Sequence, residues 1–332
     1  MKIINFIVLI FLLYAQSGLF AQQFYKDVTG PYLGQTPPGT TPEIFAPGIV
    51  SLGYHEHGIT ISPDGTEIFF VAASTDFSTH NIMFTKLSEG AWTVPDVAPF
   101  SGHYKDISPS FTPDGNRLYF ASKRPLVEGG NDKRDFDIWF VDRDGDSWSE
   151  PVNAGSPINS EMNDGGPTFM QNGTMIFQSM RKQGSKGWDF YISYLKNGEY
   201  SEPEIIPAPV STEFNEGAPF VAPDGSFLLF NSNRPQGGPI MSLFVSFKDE
   251  NGNWLEPVNL DRKVKSSLYH GDYGPVLSPD GKYLFFGSFR HLETIEPKFE
   301  GHLYNMKILL GDPSPGRGTI HWVDAEILRD LK

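Results

Sequence analysis

The chain has no cysteine. That excludes disulfides, thiolate-held metals, a thiol nucleophile and a lipid-bearing N-terminal cysteine. Positive charge is also scarce: 26 Lys and Arg stand against 40 Asp and Glu, a formal net charge of −14. A phosphate backbone needs a basic surface, so no nucleic-acid partner is expected. Long apolar runs are lacking too. The one marked run, Ile3–Tyr14, is short for a bilayer span, and the mature protein is expected to have none. Gly-x-Ser-x-Gly, His-Glu-x-x-His and phosphate-loop patterns are absent, which leans the reading away from enzymes built on them.

Met1–Ala21 has the layout of a secretory signal peptide. Lys2 supplies the positive start, Ile3–Tyr14 the apolar stretch, and Ala15, Ser17, Gly18 and Ala21 the small residues before a cut near Gln22. A periplasmic or extracellular protein without a lipid anchor is expected. Gln22–Thr40, rich in Gly, Pro and Thr, reads as an N-terminal arm, and residues 41–332 as a single domain.

What is abundant is turn chemistry: 34 glycines, 27 prolines and 14% aromatics. Pro63-Asp64-Gly65, Pro113-Asp114-Gly115, Pro223-Asp224-Gly225 and Pro279-Asp280-Gly281 each sit between two strand-like runs. Proline presets φ, aspartate bonds the backbone that follows, and glycine accepts positive φ. Gln171-Asn172-Gly173 is a degenerate copy that still makes a good hairpin turn. The five turns lie 50, 58, 52 and 56 residues apart, a period that fits one propeller blade per repeat. A third strand follows each of the first four hairpins, at Asn81–Lys86, Asp137–Val141, Asp189–Tyr194 and Ser242–Phe247. Next come an aromatic (Trp92, Trp148, Tyr200, Trp254) and a proline opening a fourth strand (Pro95, Pro151, Pro203, Pro257). The last unit has Thr319–Ala325 as its third strand and no fourth. Thr41–Ser51, similar to Glu202–Ser211, is expected to supply it and so close the ring. Gly301–Leu310 is expected to be a short helix. The fold expected is all-β: a five-bladed β-propeller with four-stranded blades.

The segments SPDGTEIFF, TPDGNRLYFAS, APDGSFLLFNS and SPDGKYLFFGS resemble the WD40-like repeats of the TolB type, the Pro-Asp-Gly propeller repeats of bacterial envelope proteins. The resemblance covers nearly all of the mature chain and speaks to fold. Such propellers include scaffold proteins, peptidase-associated domains and some lyases, so it does not choose a function.

Two columns of charge recur. Eight residues before the turn Asp or Asn stand Glu56, Asp106, Asp164, Glu216 and Asp272; nine or ten after it stand Arg124, Arg181, Arg234 and Arg290. Both fall at the end of the hairpin away from the turn, so acid and guanidinium are expected to meet once per blade near the mouth of the ring. The columns read either as struts or as a ligand-binding ring of charge. The first unit has Ser74 at its arginine position, and His55 and His57 flank its Glu56. Residues two apart share a strand face, so these histidines are the candidate ligands of a divalent cation; no cofactor is otherwise required. Asp142–Asp146 has some look of a calcium loop but lacks the later bidentate glutamate, and reads as a polar turn. The function expected is binding or scaffolding of a peptide, glycan or partner protein at the propeller mouth. The alternative is a carbohydrate-active enzyme, a glycoside hydrolase or metal-assisted lyase with its site at the same mouth.

Overall fold

The computed structural model describes residues 28–127, 129–181, 187–235, 241–265, 271–289, 306, 310 and 318–331. The signal-peptide reading, Arg290 and most of the expected helix at Gly301–Leu310 lie outside the described residues.

The chain forms five antiparallel blades. Blade 1 comprises Glu56–Ile61, Glu67–Ala73, His80–Ser88 and Asp96–Val97, and blade 2 Asp106–Phe111, Arg117–Ser122, Asp137–Asp144 and Val152–Asn153. Blade 3 comprises Asp164–Phe169, Met175–Ser179, Asp189–Ser193 and Glu204–Ile205, and blade 4 Glu216–Val221, Phe227–Ser232, Ser242–Phe247 and Val258–Asn259. Blade 5 runs Asp272–Leu277, Tyr283–Ser288 and Thr319–Asp324, with Glu43–Ile44 along its outer edge. The five inner strands neighbour one another in order, and the fifth returns to the first. This is a five-bladed β-propeller. The fourth strands are only two residues long. Within Thr41–Ser51, Glu43 and Ile44 pair with Trp322 and His321, and Phe45 N donates to the Ile320 carbonyl before the chain turns away.

The hydrophobic residues gather in clusters between adjacent blades, because each sheet buries a face against its neighbour. The axis is built from a feature the turns do not announce. Every inner strand carries a β-bulge two residues after its column acid, and the bulged residue takes left-handed φ: Gly58 at 58°, Ser108 at 56°, Gly166 at 58°, Ala218 at 47° and Gly274 at 60°. Ile59, Pro109, Pro167, Pro219 and Pro275 follow. Proline has no N–H, so four of the five bulges present one donor fewer where the ladder is interrupted. Neighbouring blades serve two other amides: Gln178 Oε1 accepts from Ala218 N at 2.6 Å and Asn231 Oδ1 from Gly274 N at 3.1 Å. These residues narrow the axis to a cavity of about 60 Å³. Ligand pockets usually run to roughly 300–1,000 Å³, so a ligand has to bind at a mouth or between blades, not inside the channel.

Candidate functional site at the mouth of the first blade

Three column acids are spent inside their blades. Arg124 NH2 meets Asp106 at 3.0 Å, Arg181 NH2 meets Asp164 at 2.8 Å, and Arg234 NH2 meets Glu216 at 3.0 Å. A serine two residues before each arginine accepts from its Nε: Ser122 at 2.9 Å, Ser179 at 2.9 Å and Ser232 at 3.3 Å. The same guanidinium groups donate to the carbonyls of Phe100, Ile158 and Val210 on the chain entering the blade. Each arginine thus ties three segments together. Asp106, Asp164, Glu216 and Asp272 are all fully buried, and none of them lines the axial cavity. Burial pushes the Asp106 and Glu216 carboxyls up, with the arginines pulling the other way.

Blade 1 keeps the acid of this clamp, Glu56, and loses both its anchors. The serine is Ala72, and the arginine is Ser74, whose hydroxyl donates to Asp76 at 2.6 Å within a tight turn. Glu56 is fully buried. Its Oε1 accepts from Leu52 N at 2.8 Å and Tyr54 N at 2.9 Å, while its Oε2 has no hydrogen-bond partner among the described residues. Glu56 lies opposite Ala72, and Ala72 opposite Asn81, so the three side chains share a face. Asn81 is also fully buried, with neither amide atom hydrogen-bonded among the described residues. The corresponding rows elsewhere read Asp106–Ser122–Asp137, Asp164–Ser179–Asp189, Glu216–Ser232–Ser242 and Asp272–Ser288–Thr319.

Above this face lies a group of rings. His55, at φ 54°, stacks on Phe289 (centroids 4.9 Å apart) and Tyr273 (5.5 Å) and meets Phe77 edge-on at 4.8 Å. His57 stands 5.1 Å from His55 and 6.0 Å from both His80 and Tyr273. The Tyr273 hydroxyl lies 3.4 Å from each ring nitrogen of His55. Burial, reinforced by the other two histidines, pushes His57 well below its usual value; burial and Lys105 lower His80 to about 4. The two are therefore neutral at pH 7, able to stack and to exchange hydrogen bonds. His55 and His57 do lie side by side, but among the described residues no group of three His, Cys, Asp or Glu is arranged to hold a metal ion. Sequence spacing pointed to His55, Glu56 and His57. It missed His80, Tyr273, Phe289 and Asn81, whose only signal is register across strands and between blades 1 and 5.

Burial of the carboxyl, opposed by the N–H groups of Tyr54 and Leu52, lifts Glu56 from 4.5 to about 7. Below pH 4.5 the group is protonated in both folded and unfolded chains and costs nothing. Between 4.5 and 7 the unfolded chain loses its proton first, so stability falls as pH rises. Above 7 the cost is complete, on the order of 3 kcal/mol at about 1.4 kcal/mol per unit. Glu56→Gln keeps the oxygen that Leu52 and Tyr54 need. Its melting temperature is expected to exceed wild type at pH 8 and to match it near pH 4; equal curves at both pH values would contradict this.

No known protein family, the Pro-Asp-Gly repeat family included, and no curated protein matches the sequence. Among solved structures the chain is similar to TolB from Acinetobacter baumannii, at 18% identity and TM-score 0.43, over 81% of this chain and 57% of that one. It is also similar to an α-L-arabinofuranosidase from Lactobacillus brevis, at 14% identity and TM-score 0.48, over 82% and 90% of the two chains. A third is an α-L-arabinofuranosidase from Podospora anserina in complex with cellotriose, at 13% identity and TM-score 0.48, over 87% and 98%. The class, a five-bladed β-propeller, follows from this chain's own strand pairing. At such identities the likeness assigns no activity. Among the described residues no helix is long and apolar enough to cross a membrane.

Proposed function

We propose that the protein is an exported binding propeller of the TolB repeat type, holding a peptide, glycan or partner protein at the mouth beside blade 1. The observation that carries this reading is the break in the clamp. Asp106, Asp164 and Glu216 are neutralised by arginine inside their blades, whereas Glu56 keeps a buried oxygen with no hydrogen-bond partner among the described residues. Beside it His55, His57, His80 and Tyr273 offer flat faces and ring nitrogens and a hydroxyl for hydrogen bonding, with His57 and His80 neutral. That surface suits a donor-rich ligand, a sugar or a peptide backbone, better than a strongly charged one. The glycoside-hydrolase form of the carbohydrate-active alternative needs two free carboxylates roughly 5–10 Å apart. The arginine pairs leave Glu56 without such a second group among Asp106, Asp164 and Glu216, which favours binding over hydrolysis.

The test is a glycan and peptide array on the mature protein, then calorimetric titration of any hit. Affinity is expected to fall at least tenfold in Glu56→Gln and in the His55→Ala/His57→Ala double variant. Equal affinity in all three proteins would place the ligand elsewhere. Melting with Zn²⁺, Mn²⁺ and Ca²⁺ serves as a second arm: a shift in wild type that vanishes in the double variant would assign a cation to the two histidines.

A further inference from the structure

On the side of the ring that carries the Pro-Asp-Gly turns, the clefts between blades are crossed in different ways, with cavities of about 930, 470 and 620 Å³ left between blades 5 and 1, 1 and 2, and 4 and 5. Between blades 5 and 1 lies the arm. The Tyr32 ring packs edge-on to Tyr283 at 5.2 Å and lies 5.5 Å from Trp322 and 6.2 Å from Phe285. Its hydroxyl donates to Asp280 Oδ1 at 3.2 Å, and Trp92 Nε1 donates to the Gly30 carbonyl at 2.7 Å. Between blades 4 and 5 the 3₁₀ segment Ala325–Leu331 brings Leu328 and Leu331 to the cluster that holds Phe227 and Phe247. Between blades 1 and 2 Arg143 bridges to Glu67 at 2.6 Å and covers Trp148 at 4.0 Å.

Between blades 2 and 3 is a cavity of about 990 Å³ lined by residues of those two blades and their connection alone. Its blade 2 wall is the counterpart of the wall that receives Tyr32. Counted from the turn aspartate, Asp114 corresponds to Asp280, Arg117 to Tyr283 and Tyr119 to Phe285. Strand register adds Phe140, opposite Tyr119, as the counterpart of Trp322, opposite Phe285. The wall is preformed. Arg117 lies 3.8 Å over the Phe140 ring and is held by Asp142 through Nε at 2.6 Å and NH2 at 3.0 Å. Its NH1 reaches the Tyr119 hydroxyl at 3.3 Å.

The facing wall is where the third repeat breaks the pattern. It is made of the degenerate turn Gln171-Asn172-Gly173 and the hairpin Leu195–Tyr200. That hairpin pairs only with itself, whereas the hairpins of blades 1 and 2 continue their third strands. Tyr200 donates to the Gly173 carbonyl at 3.3 Å, joining turn and hairpin into one surface. Both departures of blade 3 therefore line one cleft.

We propose that this cleft docks an extended segment of another polypeptide, one that lays a tyrosine on the Arg117–Phe140 ledge with its hydroxyl donating to Asp114, as Tyr32 does at blade 5. A guanidinium stacked on an aromatic ring presents a flat face to a further ring. Asp114, Asp142 and Glu199 outnumber Arg117 along the walls, so the segment carries basic residues beside its tyrosine. Segments of the protein's own chain already pack against the walls of two sister clefts, and that favours a peptide over a sugar. The site is separate from the mouth of blade 1, and neither proposal depends on the other.

The probe is a labelled peptide copying residues 28–37, VTGPYLGQTP, with a lysine added at each end, titrated into the full chain by fluorescence anisotropy. Saturable binding is expected. It should weaken at least tenfold when the peptide carries Tyr32→Ala, and likewise in Arg117→Ala and Asp114→Asn proteins. Arg117→Tyr, which copies blade 5, should bind at least as well as wild type, and it keeps the test decisive if Arg117→Ala does not fold. The proposal is overturned if no saturable binding occurs. It is equally overturned if binding is unchanged by Arg117→Ala and Asp114→Asn, which would mean that the peptide sits elsewhere, for example in place of the protein's own arm. Saturable binding of neutral oligosaccharides with none of the peptide would also overturn it.

Discussion

Phe45→Ala is expected to lower the melting temperature by about 10 °C. Phe45 is fully buried, edge-on to Phe285 at 5.0 Å and to Trp322 at 5.2 Å. Its N–H donates to the Ile320 carbonyl at 2.8 Å, which continues the pairing begun by Glu43 and Ile44. Removing a buried phenylalanine costs about 3–5 kcal/mol, and each kcal/mol moves the transition of a domain this large by roughly 2–4 °C. Deleting Thr41–Ser51 should be worse. Ala46, Ile49 and Val50 belong to the same cluster, and the third strand Thr319–Asp324 would be left as an open edge. Calorimetry on both variants checks this. A deletion variant that melts at the wild-type temperature would show that the first segment does not support the last blade.

Arg234→Met is expected to cost about 3–5 kcal/mol, because it strands a buried carboxylate. Arg234 and Glu216 are both buried, and without the guanidinium Glu216 keeps only Thr212 and Ser232 as side-chain partners. The Val210 carbonyl loses its donor as well. The double variant Arg234→Met/Glu216→Leu should recover much of the loss, since replacing a whole buried pair by apolar groups is far less costly than breaking it. Acid should narrow the gap between Arg234→Met and wild type, because a protonated Glu216 no longer needs a counter-charge. Urea unfolding at pH 7 and pH 4 measures both effects. A single variant as stable as wild type at pH 7 would remove the clamp from the account.

The blades were legible in the sequence because their determinants are local. Pro-Asp-Gly sets each hairpin turn, and the proline before Asp96, Val152, Glu204 or Val258 opens each outer strand. The acid and arginine columns were legible because a repeat places them at fixed distances from the turn. The bulge ring was not read, although a proline stands three residues after the acid in four of five units. Nothing local tells Ser108 or Ala218 to take positive φ; closure of five strands around an axis imposes it. The blade 1 site was half legible. His55, Glu56 and His57 are neighbours in sequence, but Asn81 reaches Glu56 only across Ala72, and Tyr273 and Phe289 arrive from blade 5 only when the ring closes. The likeness of the Arg117 and Tyr283 walls was hidden for the same reason. Its meaning depends on Tyr32, which lies more than 200 residues from the strand it covers.

Blade 1 holds the one described column acid with neither an arginine nor the serine that anchors it. Carbon-detected NMR titration of the glutamate side-chain carboxyls tests this directly, with Glu56→Gln used to assign the signal. The signal lost in the variant is expected to titrate near pH 7. A midpoint in the ordinary range, about 4 to 4.5, would mean that Glu56 is solvated or paired after all, and would contradict the claim.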